Sequence, residues 1–316
     1  MLDVGISPFD PGIPETLEEL EKAFIVPDVR RAESGYLAYH LKDTLELTGN
    51  WGAVRVTPNL SDSVDLHVSG EILLSDGEML KVRAVAIDST GKTWLDKNYE
   101  DTASKFSYDA IKEDPFQDLY NDIANDLLEA RQNYSNSEIV NIRQVSSLKF
   151  ARSLSPDAFG TYLSESDGKI QVTQLPADGD VILERVNKIK EREYLFVDTM
   201  DDYYGRFYKD MRGSYDEWRL ANYEEAILFR ELQAQGNKRF WGGLGMAAAG
   251  GYAGTQSKTY AESAAAAGVV GGGIAMVKSG LNRKRESEIH EESLRELGQS
   301  LGGEITPYVL DIEGKT

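Results

Sequence analysis

The stretch WGGLGMAAAGGYAG at residues 241–254 is followed by the polar TQSKTYAES at 255–263 and by AAAAGVVGGGIAMVKSG at 264–280. Small residues recur four positions apart in both outer parts, and on a helix this spacing gives a flat face against which another backbone can pack. Each glycine costs a helix in water about 1 kcal/mol relative to alanine, so helices here need a partner. We predict a self-association interface at Gly243, Ala247, Gly250, Gly251, Gly254, Ala264, Gly268, Val269, Gly272 and Ile274.

Helical periodicity continues on both sides of the polar break and predicts two antiparallel helices, at residues 214–254 and 261–301, with a tip at 255–260. Each small-residue arm would be ~21–26 Å long, slightly shorter than a ~30 Å hydrocarbon core. Burial of Lys258 or Glu262 would cost about 2.5–3.5 kcal/mol each, so only several hairpins packed together would enter a membrane readily. The residues suited to anchor them at its interface are Lys238, Arg239, Trp241, Arg283, Lys284 and Arg285. A soluble ring or bundle of hairpins is the alternative.

Composition narrows the possible classes of function. The chain has 316 residues, a net charge of −19 at pH 7 and no cysteine. The negative charge argues against a nucleic-acid partner, and without cysteine the chain can form no disulfide and no thiolate metal site. The first residues, MLDVGISPFDPG, lack the basic and apolar regions of a signal peptide. The protein is therefore either cytosolic or exported, in which case the chain begins after a cleaved export signal.

Residues 1–135 read as an α/β domain. Alternation at Leu2, Val4 and Ile6 predicts a half-buried strand, and an apolar stripe predicts a helix from about Pro27 to Gly49. A short strand at 51–58 is followed by three strands joined by hairpin-type turns at 75–77 and 88–91. A proline-initiated helix follows at 116–131. We expect a mixed sheet with both helices on one face.

The remainder of the chain reads as mostly helical. We predict a helical domain at residues 136–240, a Gly/Ala-rich hairpin tip at 241–280, and a returning helix with a C-terminal strand at 281–316. Within 136–240 the pattern indicates a helix ending before Ser155, a short helix at 157–163, a brief strand at 169–175, and helices at 180–213 and from 214 onward. The many aromatic residues of this region favour a helical core. The predicted fold class is α+β.

Three sequence runs in the first domain resemble known families. They are LKDTLELTGNWGAVRV at 41–56, VDLHVSGEI at 64–72 and KVRAVAIDSTGKTWLDKNYE at 81–100. Together residues 2–132 are similar to the N-terminal domain of the TolB family and to the periplasmic α/β domain of the curli-secretion pore lipoproteins. The resemblance implies an exported Gram-negative envelope protein that meets partner proteins through this domain. Its motifs are turns and strand patterns with no catalytic residue, and no propeller repeats of the TolB kind follow.

Motifs that carry chemistry are few. The run Asp178-Gly179-Asp180 has the start of a calcium loop, but its twelfth position is Ile189, which cannot ligate the ion. His40, His67 and His290 are far apart in the sequence, and the glycine runs have no phosphate-loop spacing. Asp198, Asp201 and Asp202 are expected on a solvated helix face. We predict no enzyme, no cofactor and no metal site.

These observations favour a structural protein of the cell envelope. We expect a homo-oligomer, periplasmic or associated with the outer membrane, that forms a ring, pore or secretion-type assembly through its small-residue hairpin. Its partners would be further copies of itself and, through the α/β domain, other envelope proteins, with possible membrane contact at the hairpin. A monomeric periplasmic adaptor whose hairpin is only a membrane anchor is the alternative function, and the cytoplasm is the alternative location.

Overall fold

The structure is a computed structural model that describes residues 1–16, 25–58, 64–109 and 113–249, with only the backbone described at 225, 228–229 and 231–249. The strands are β1 (Val4–Ile6), β2 (Val54–Val56), β3 (Leu66–Ser75), β4 (Met79–Asp88), β5 (Thr93–Thr102), β6 (Leu163–Ser166) and β7 (Lys169–Val172). The helices are α1 (Pro27–Leu47), α2 (Lys105–Asp109), α3 (Gln117–Gln132), α4 (Asn136–Leu154), α5 (Pro156–Phe159) and α6 (Val181–Ala249). This arrangement confirms the predicted α+β class with an N-terminal α/β part.

The main sheet is mixed and has the strand order β2-β1-β3-β4-β5. Strand β1 is parallel to both of its neighbours, and β3, β4 and β5 form the predicted antiparallel meander. The prediction that β1 is half buried is wrong, since Val4, Gly5 and Ile6 are all buried. A β-carbon at Gly5 would lie 3.0 Å from a methyl of Val64, so a larger residue there would require the Val64 side chain to shift.

Alternation along the meander decides which face is covered. In β4, Leu80, Val82 and Ala84 are buried, whereas Arg83 and Ile87 on the other face are exposed. Helices α1 and α3 contribute buried side chains to the same core as the strands, as the period-two and helical patterns predict. The expected mixed sheet with a helical layer is confirmed.

Helix α6 completes this core from a distant part of the sequence. It supplies the buried side chains Met200, Tyr204, Phe207, Tyr208, Met211, Tyr215, Trp218 and Tyr223. The sequence predicts a helical core for these aromatics; they lie on a helix, and the core that they join also contains side chains of α1, α3 and the sheet. Side chains from both sides of residue 135 therefore form one core.

Helix α6 also runs without a break through Gly213, where the sequence predicts an interruption. A glycine in a helix costs about 1 kcal/mol relative to alanine. Burial of Met211 and Tyr215 on either side, each worth about 1.5–3 kcal/mol, exceeds that cost. The resulting 69-residue helix is about 104 Å long at 1.5 Å per residue. None of the helices in the described ranges is long and apolar enough to cross a membrane.

A second, smaller core joins α4 and α5 to a two-stranded hairpin and to the start of α6. It contains Val145, Leu148, Phe150, Ala151, Phe159, Leu163, Ile170 and Val186. The short helix predicted at 157–163 ends at Phe159, and β6 follows where no strand was expected. Strand β7 confirms the predicted strand near residue 170, and Asp167 and Gly168, both with positive φ, form its tight turn.

Candidate functional site

The candidate functional site is the surface along which α6 packs on the α/β layer, because this surface sets the direction of the helix that leads to the small-residue segment. Polar contacts cross it at four levels, from the β2 edge of the sheet to the turn between β3 and β4. The α6 residues that make these contacts are Asp198, Asp201, Tyr208, Tyr215, Arg219 and Arg230.

The central level is a buried ion pair between Arg219 and Asp114. The guanidinium donates two hydrogen bonds, Nη1 to Oδ1 at 3.2 Å and Nη2 to Oδ2 at 3.0 Å. Arg219 is fully buried and Asp114 nearly so. Burial by itself would raise the pKa of Asp114, but the Arg219 guanidinium, together with His40 and the Phe116 backbone N–H, holds the pKa below its usual range. The pair is therefore charged at neutral pH, and its geometry is bidentate.

A second buried acid, Glu33 of α1, lies beside this pair. Its Oε1 accepts hydrogen bonds from the hydroxyls of Tyr215 and Ser75, both at 2.7 Å. Arg30 Nε lies 3.1 Å from Oε2 of the same carboxylate. Glu33 thus connects α1, the end of β3 and α6 in one hydrogen-bonded group, so a rotation or slide of α6 would leave a buried charge without its partners.

The outer levels hold α6 at strand β2 and at the turn between β3 and β4. At β2, Asp201 Oδ1 accepts the Val56 backbone N–H at 2.8 Å, and Lys42 Nζ lies 3.3 Å from Oδ2. The expectation that Asp201 is solvated is wrong, because its side chain is only 15% exposed. Burial raises the pKa of Asp201 to about 6. At the turn between β3 and β4, Arg230 contacts the carboxylates of Asp76 and Glu78.

The backbone of the turn between β3 and β4 lies very close to the backbone of α6. Gly77 has φ +82°, and a β-carbon on it would lie 2.2 Å from the carbonyl oxygen of Arg219 and 2.8 Å from the Tyr223 nitrogen. The Gly77 carbonyl oxygen accepts a 2.6 Å hydrogen bond from the Tyr108 hydroxyl. Only glycine combines this backbone conformation with so close a contact.

Each of the two histidines in the described ranges has its own hydrogen-bond partners. His40 lies between the Tyr208 hydroxyl at 2.6 Å and Gln117 Oε1 at 2.8 Å, again between α1, α6 and α3. His67 Nε2 lies 2.8 Å from Ser7 Oγ. Burial, with a smaller contribution from Lys149, lowers the pKa of His67 to about 4, so its ring is neutral at pH 7. No carboxylate among the described residues is within hydrogen-bond distance of His67.

A polar cavity of about 380 Å³ lies where α4, α6 and the starts of β1 and β3 meet. Asp3 and Asp65 line it from the strand starts, and Arg143 and Lys190 line it from the two helices. The sequence gives no sign of this cavity because the four residues are spread over almost 190 positions. In the ranges 1–16, 25–58, 64–109 and 113–249, no group of three or more His, Cys, Asp or Glu residues could hold a metal ion.

Only part of the predicted self-association interface falls within the described residues. Lys238, Arg239, Trp241, Gly243 and Ala247 lie in α6, with Gly243 and Ala247 one turn apart as the small-residue spacing predicts. The other predicted positions lie outside the described residues: Gly250, Gly251, Gly254, Ala264, Gly268, Val269, Gly272, Ile274, Arg283, Lys284 and Arg285. The second arm and the tip of the predicted hairpin lie outside them as well.

The buried contacts of α6 were missed by sequence reasoning, which placed residues 136–240 in a separate helical domain. One signal was present: Arg219 interrupts the otherwise apolar face formed by Met211, Tyr215 and Trp218. A charge within such a stripe indicates a buried partner.

Comparisons of the chain with family models, curated proteins and solved structures give no match. The resemblance of residues 2–132 to the TolB and curli-secretion families stays a prediction from sequence motifs, which these comparisons do not support.

Proposed function

We propose that this protein is a structural assembly protein. In this proposal the α/β layer is a base that holds α6 in one orientation, and copies of the chain associate through the small-residue repeats at and beyond the end of α6. The observation that carries the proposal is the set of buried charges that joins α6 to the base, centred on the Arg219–Asp114 pair. No enzymatic step is part of it.

The energetics of that pair favour a role in orientation. Taking two charges out of water costs several kcal/mol per ion, and an apolar contact of similar volume is often as stable or more so. Buried polar groups that add little stability can instead specify one geometry, because any other arrangement leaves them unpaired. A helix whose only role was to cover the sheet could do so with the apolar stripe alone.

The distal part of α6 supports the idea that the fixed orientation of this helix serves self-association. The last anchor to the base within the described side chains is Arg230. Residues 231–249 continue the helix for about 28 Å. They carry Gly243 and Ala247 at the spacing that lets two helix backbones approach. Glycines are costly in an unpaired helix, and a second copy of the chain offers the matching face.

Periplasmic or outer-membrane location, contact with other envelope proteins and contact with a bilayer belong to the same proposal. They rest on the resemblance of the α/β part and on the basic and aromatic residues near 238–241 and 283–285. The alternative, a monomeric adaptor anchored by its hairpin, keeps the same base and the same α6. The two differ only in oligomeric state.

Native mass measurement of the full chain, in buffer and in mild detergent, tests the proposal. The wild type is expected to be an oligomer, and Gly243→Leu and Gly268→Leu are expected to reduce it to monomer while the circular dichroism of the base is unchanged. Gly213→Leu is the matched control, because a β-carbon at this helical glycine meets no atom within 4 Å. A wild type that is monomeric in both conditions, or leucine variants that remain oligomeric, would contradict self-association.

A further inference from the structure

Strand β5 is a long edge strand of the main sheet that the assembly role does not use. It has 10 residues and pairs only with β4 among the described strands. The edge at the other end of the sheet, β2, is short and is covered by α6, since Asp201 accepts the Val56 backbone N–H there. Long edge strands without such cover are templates for pairing with another chain.

The register of β5 shows which of its backbone groups point outward. The Ala103 N–H donates to the Glu78 carbonyl oxygen at 2.8 Å, in line with the pairing of β5 and β4. Because hydrogen-bonded pairs alternate along an antiparallel ladder, every second residue directs its N–H and C=O away from β4. The exposed residues with outward backbone groups are Asp96, Asn98 and Glu100. Those groups have no hydrogen-bond partner among the described residues.

Helix α3 places a row of acidic side chains beside this edge. It packs on β5, where Asp126 Oδ2 accepts hydrogen bonds from Lys97 Nζ and from the Tyr99 hydroxyl, both at 2.7 Å. Positions one or two turns from Asp126 on the same side of the helix are also acidic and are exposed. They are Asp118, Asp122 and Glu129.

The charges on the two faces of β5 differ. On the face away from α3, Asp96 pairs with Arg83 and Glu100 pairs with Lys81, so these charges cancel. On the α3 face, Lys97 is offset by its ion pair with Asp126. The remaining acids on that face form no ion pair among the described side chains, and they are Asp101, Asp118, Asp122 and Glu129. The α3 side of the edge therefore carries a net negative charge.

These acids act on the same part of the strand. Burial raises the pKa of Asp101, and the like charges of Asp118 and Asp122 raise it further, against the opposing hydrogen bond from the Thr102 N–H. Asp122 also favours the charged form of Lys97. A further cation placed beside Asp122 would be attracted by all three carboxylates.

We propose that the outer edge of β5 binds a basic, extended segment of a partner protein, which joins the sheet as an antiparallel strand. Its backbone would pair with the outward groups of Asp96, Asn98 and Glu100. Side chains of adjacent strands at the same level lie on the same face. Every second residue of the segment, opposite Lys97 or Asp101, therefore faces α3 and is Lys or Arg. In strand addition the backbone supplies affinity and these alternate side chains supply specificity.

A second copy of β5 does not suit this edge. Pairing two β5 strands would bring the acidic rows of two α3 helices together, and like charges across adjacent strands destabilise the pairing. The net charge of −19 adds to the repulsion between copies. The charges that prevent edge-to-edge pairing thus attract a basic strand, and they favour it over neutral and acidic ones.

The peptide Lys-Thr-Lys-Val-Lys-Thr-Lys, labelled for fluorescence anisotropy and titrated with the full chain at low ionic strength, tests this proposal. We expect saturable binding with a dissociation constant below about 1 mM. Hydrogen exchange at the amides of Asp96, Asn98 and Glu100 should slow on binding. The double variant Asp118→Asn/Asp122→Asn should bind about fivefold or more weakly. Asp210→Asn, which neutralises an exposed acid of α6, is the matched control and should bind as the wild type does.

Two N-methylated peptides separate strand pairing from general attraction to negative charge. In the antiparallel register the Thr and Val amides face β5 and the Lys amides face solvent. Methylation of the three Thr and Val amides should therefore abolish binding, whereas methylation of three Lys amides should leave most of it. Both peptides keep the same charge.

Three results would overturn the proposal. The first is no binding by the wild type up to about 1 mM. The second is equal binding of the two methylated peptides, or equal affinities of the double variant and Asp210→Asn. The third is protection of the β5 edge amides without peptide that increases with protein concentration, which would assign the edge to a second copy. Self-association through the small-residue repeats is measured separately, by the Gly243→Leu and Gly268→Leu variants, and either proposal can fail alone.

Discussion

Replacement of Gly77 by alanine tests how closely α6 is held to its base. The added β-carbon would lie 2.2 Å from the Arg219 carbonyl oxygen, which belongs to helix backbone and cannot rotate away. Normal contact needs a separation of more than about 3 Å, so the turn and the helix must move apart by roughly 1 Å. The same movement stretches the Arg219–Asp114 pair, because both its hydrogen bonds start from the residue whose carbonyl is displaced.

The loss of unfolding free energy expected for Gly77→Ala has two parts, which a control variant can separate. Alanine in the left-handed conformation costs about 1–2 kcal/mol wherever it occurs, and forcing extra volume into a packed contact adds about 1–3 kcal/mol. Gly49 also has positive φ, at +64°, but a β-carbon there meets nothing within 4 Å. Gly49→Ala should therefore show the first part only, and Gly77→Ala should unfold about 2 kcal/mol more easily than Gly49→Ala.

Urea unfolding followed by tryptophan fluorescence measures both variants, since Trp218 is buried on α6 near the altered turn. Limited proteolysis then shows whether α6 separates first, because a helix released from its base becomes susceptible before the sheet does. Equal unfolding free energies for Gly77→Ala and Gly49→Ala would refute the reasoning, since the close approach of the turn to the helix would then have no energetic effect.

Two further predictions concern the buried charges. Arg219→Met leaves the Asp114 carboxylate buried without its partner and should lower the free energy of unfolding by about 3–5 kcal/mol. The double variant with Asp114→Asn should recover most of that loss. Additive losses in a double-mutant cycle measured by urea unfolding would contradict the pairing. Burial raises the pKa of Asp201 to about 6, above the ordinary value of 3.8 for an aspartate. The folded state therefore binds the proton more tightly, and the stability that this provides is present below pH 4 and is lost as pH rises through 6. Between pH 4 and pH 7 the unfolding free energy of the wild type should fall by up to about 3 kcal/mol relative to that of Asp201→Asn, at 1.36 kcal/mol per pKa unit. A difference between the two proteins that stays constant across this pH range would exclude this linkage.

Local pattern predicted most of the elements in the described α/β layer. Alternation at Leu66 and Val68 identifies β3, and the glycine-containing turns on either side of β4 set the meander. These signals are sufficient because strand and helix periods depend on neighbours a few residues apart. The same reasoning fails at Gly213, where a local preference against helix is outweighed by tertiary burial of the flanking side chains.

The site was less predictable because it depends on long-range contacts. Arg219 and Asp114 are 105 residues apart, and Asp3 meets Asp65 across 62 residues. No period or spacing relates such pairs, so the sequence predicts neither the ion pair nor the cavity. The one local signal is Arg219, a charge inside an apolar helix face, because such a charge needs a buried partner.

The position of α6 in the chain has a consequence for the order in which the protein acquires its structure during synthesis. The sheet and the helices α1 and α3 are complete once residue 132 has been made, but their core also needs Tyr215 and Tyr223 from α6. At about 5–20 residues per second, roughly 5–20 s separate these two points on the ribosome. During that interval Asp114 and Glu33 have no cationic or hydroxyl partner from α6, and an apolar surface remains open. The nascent chain in this interval is therefore the form of the protein most exposed to aggregation and to chaperone binding.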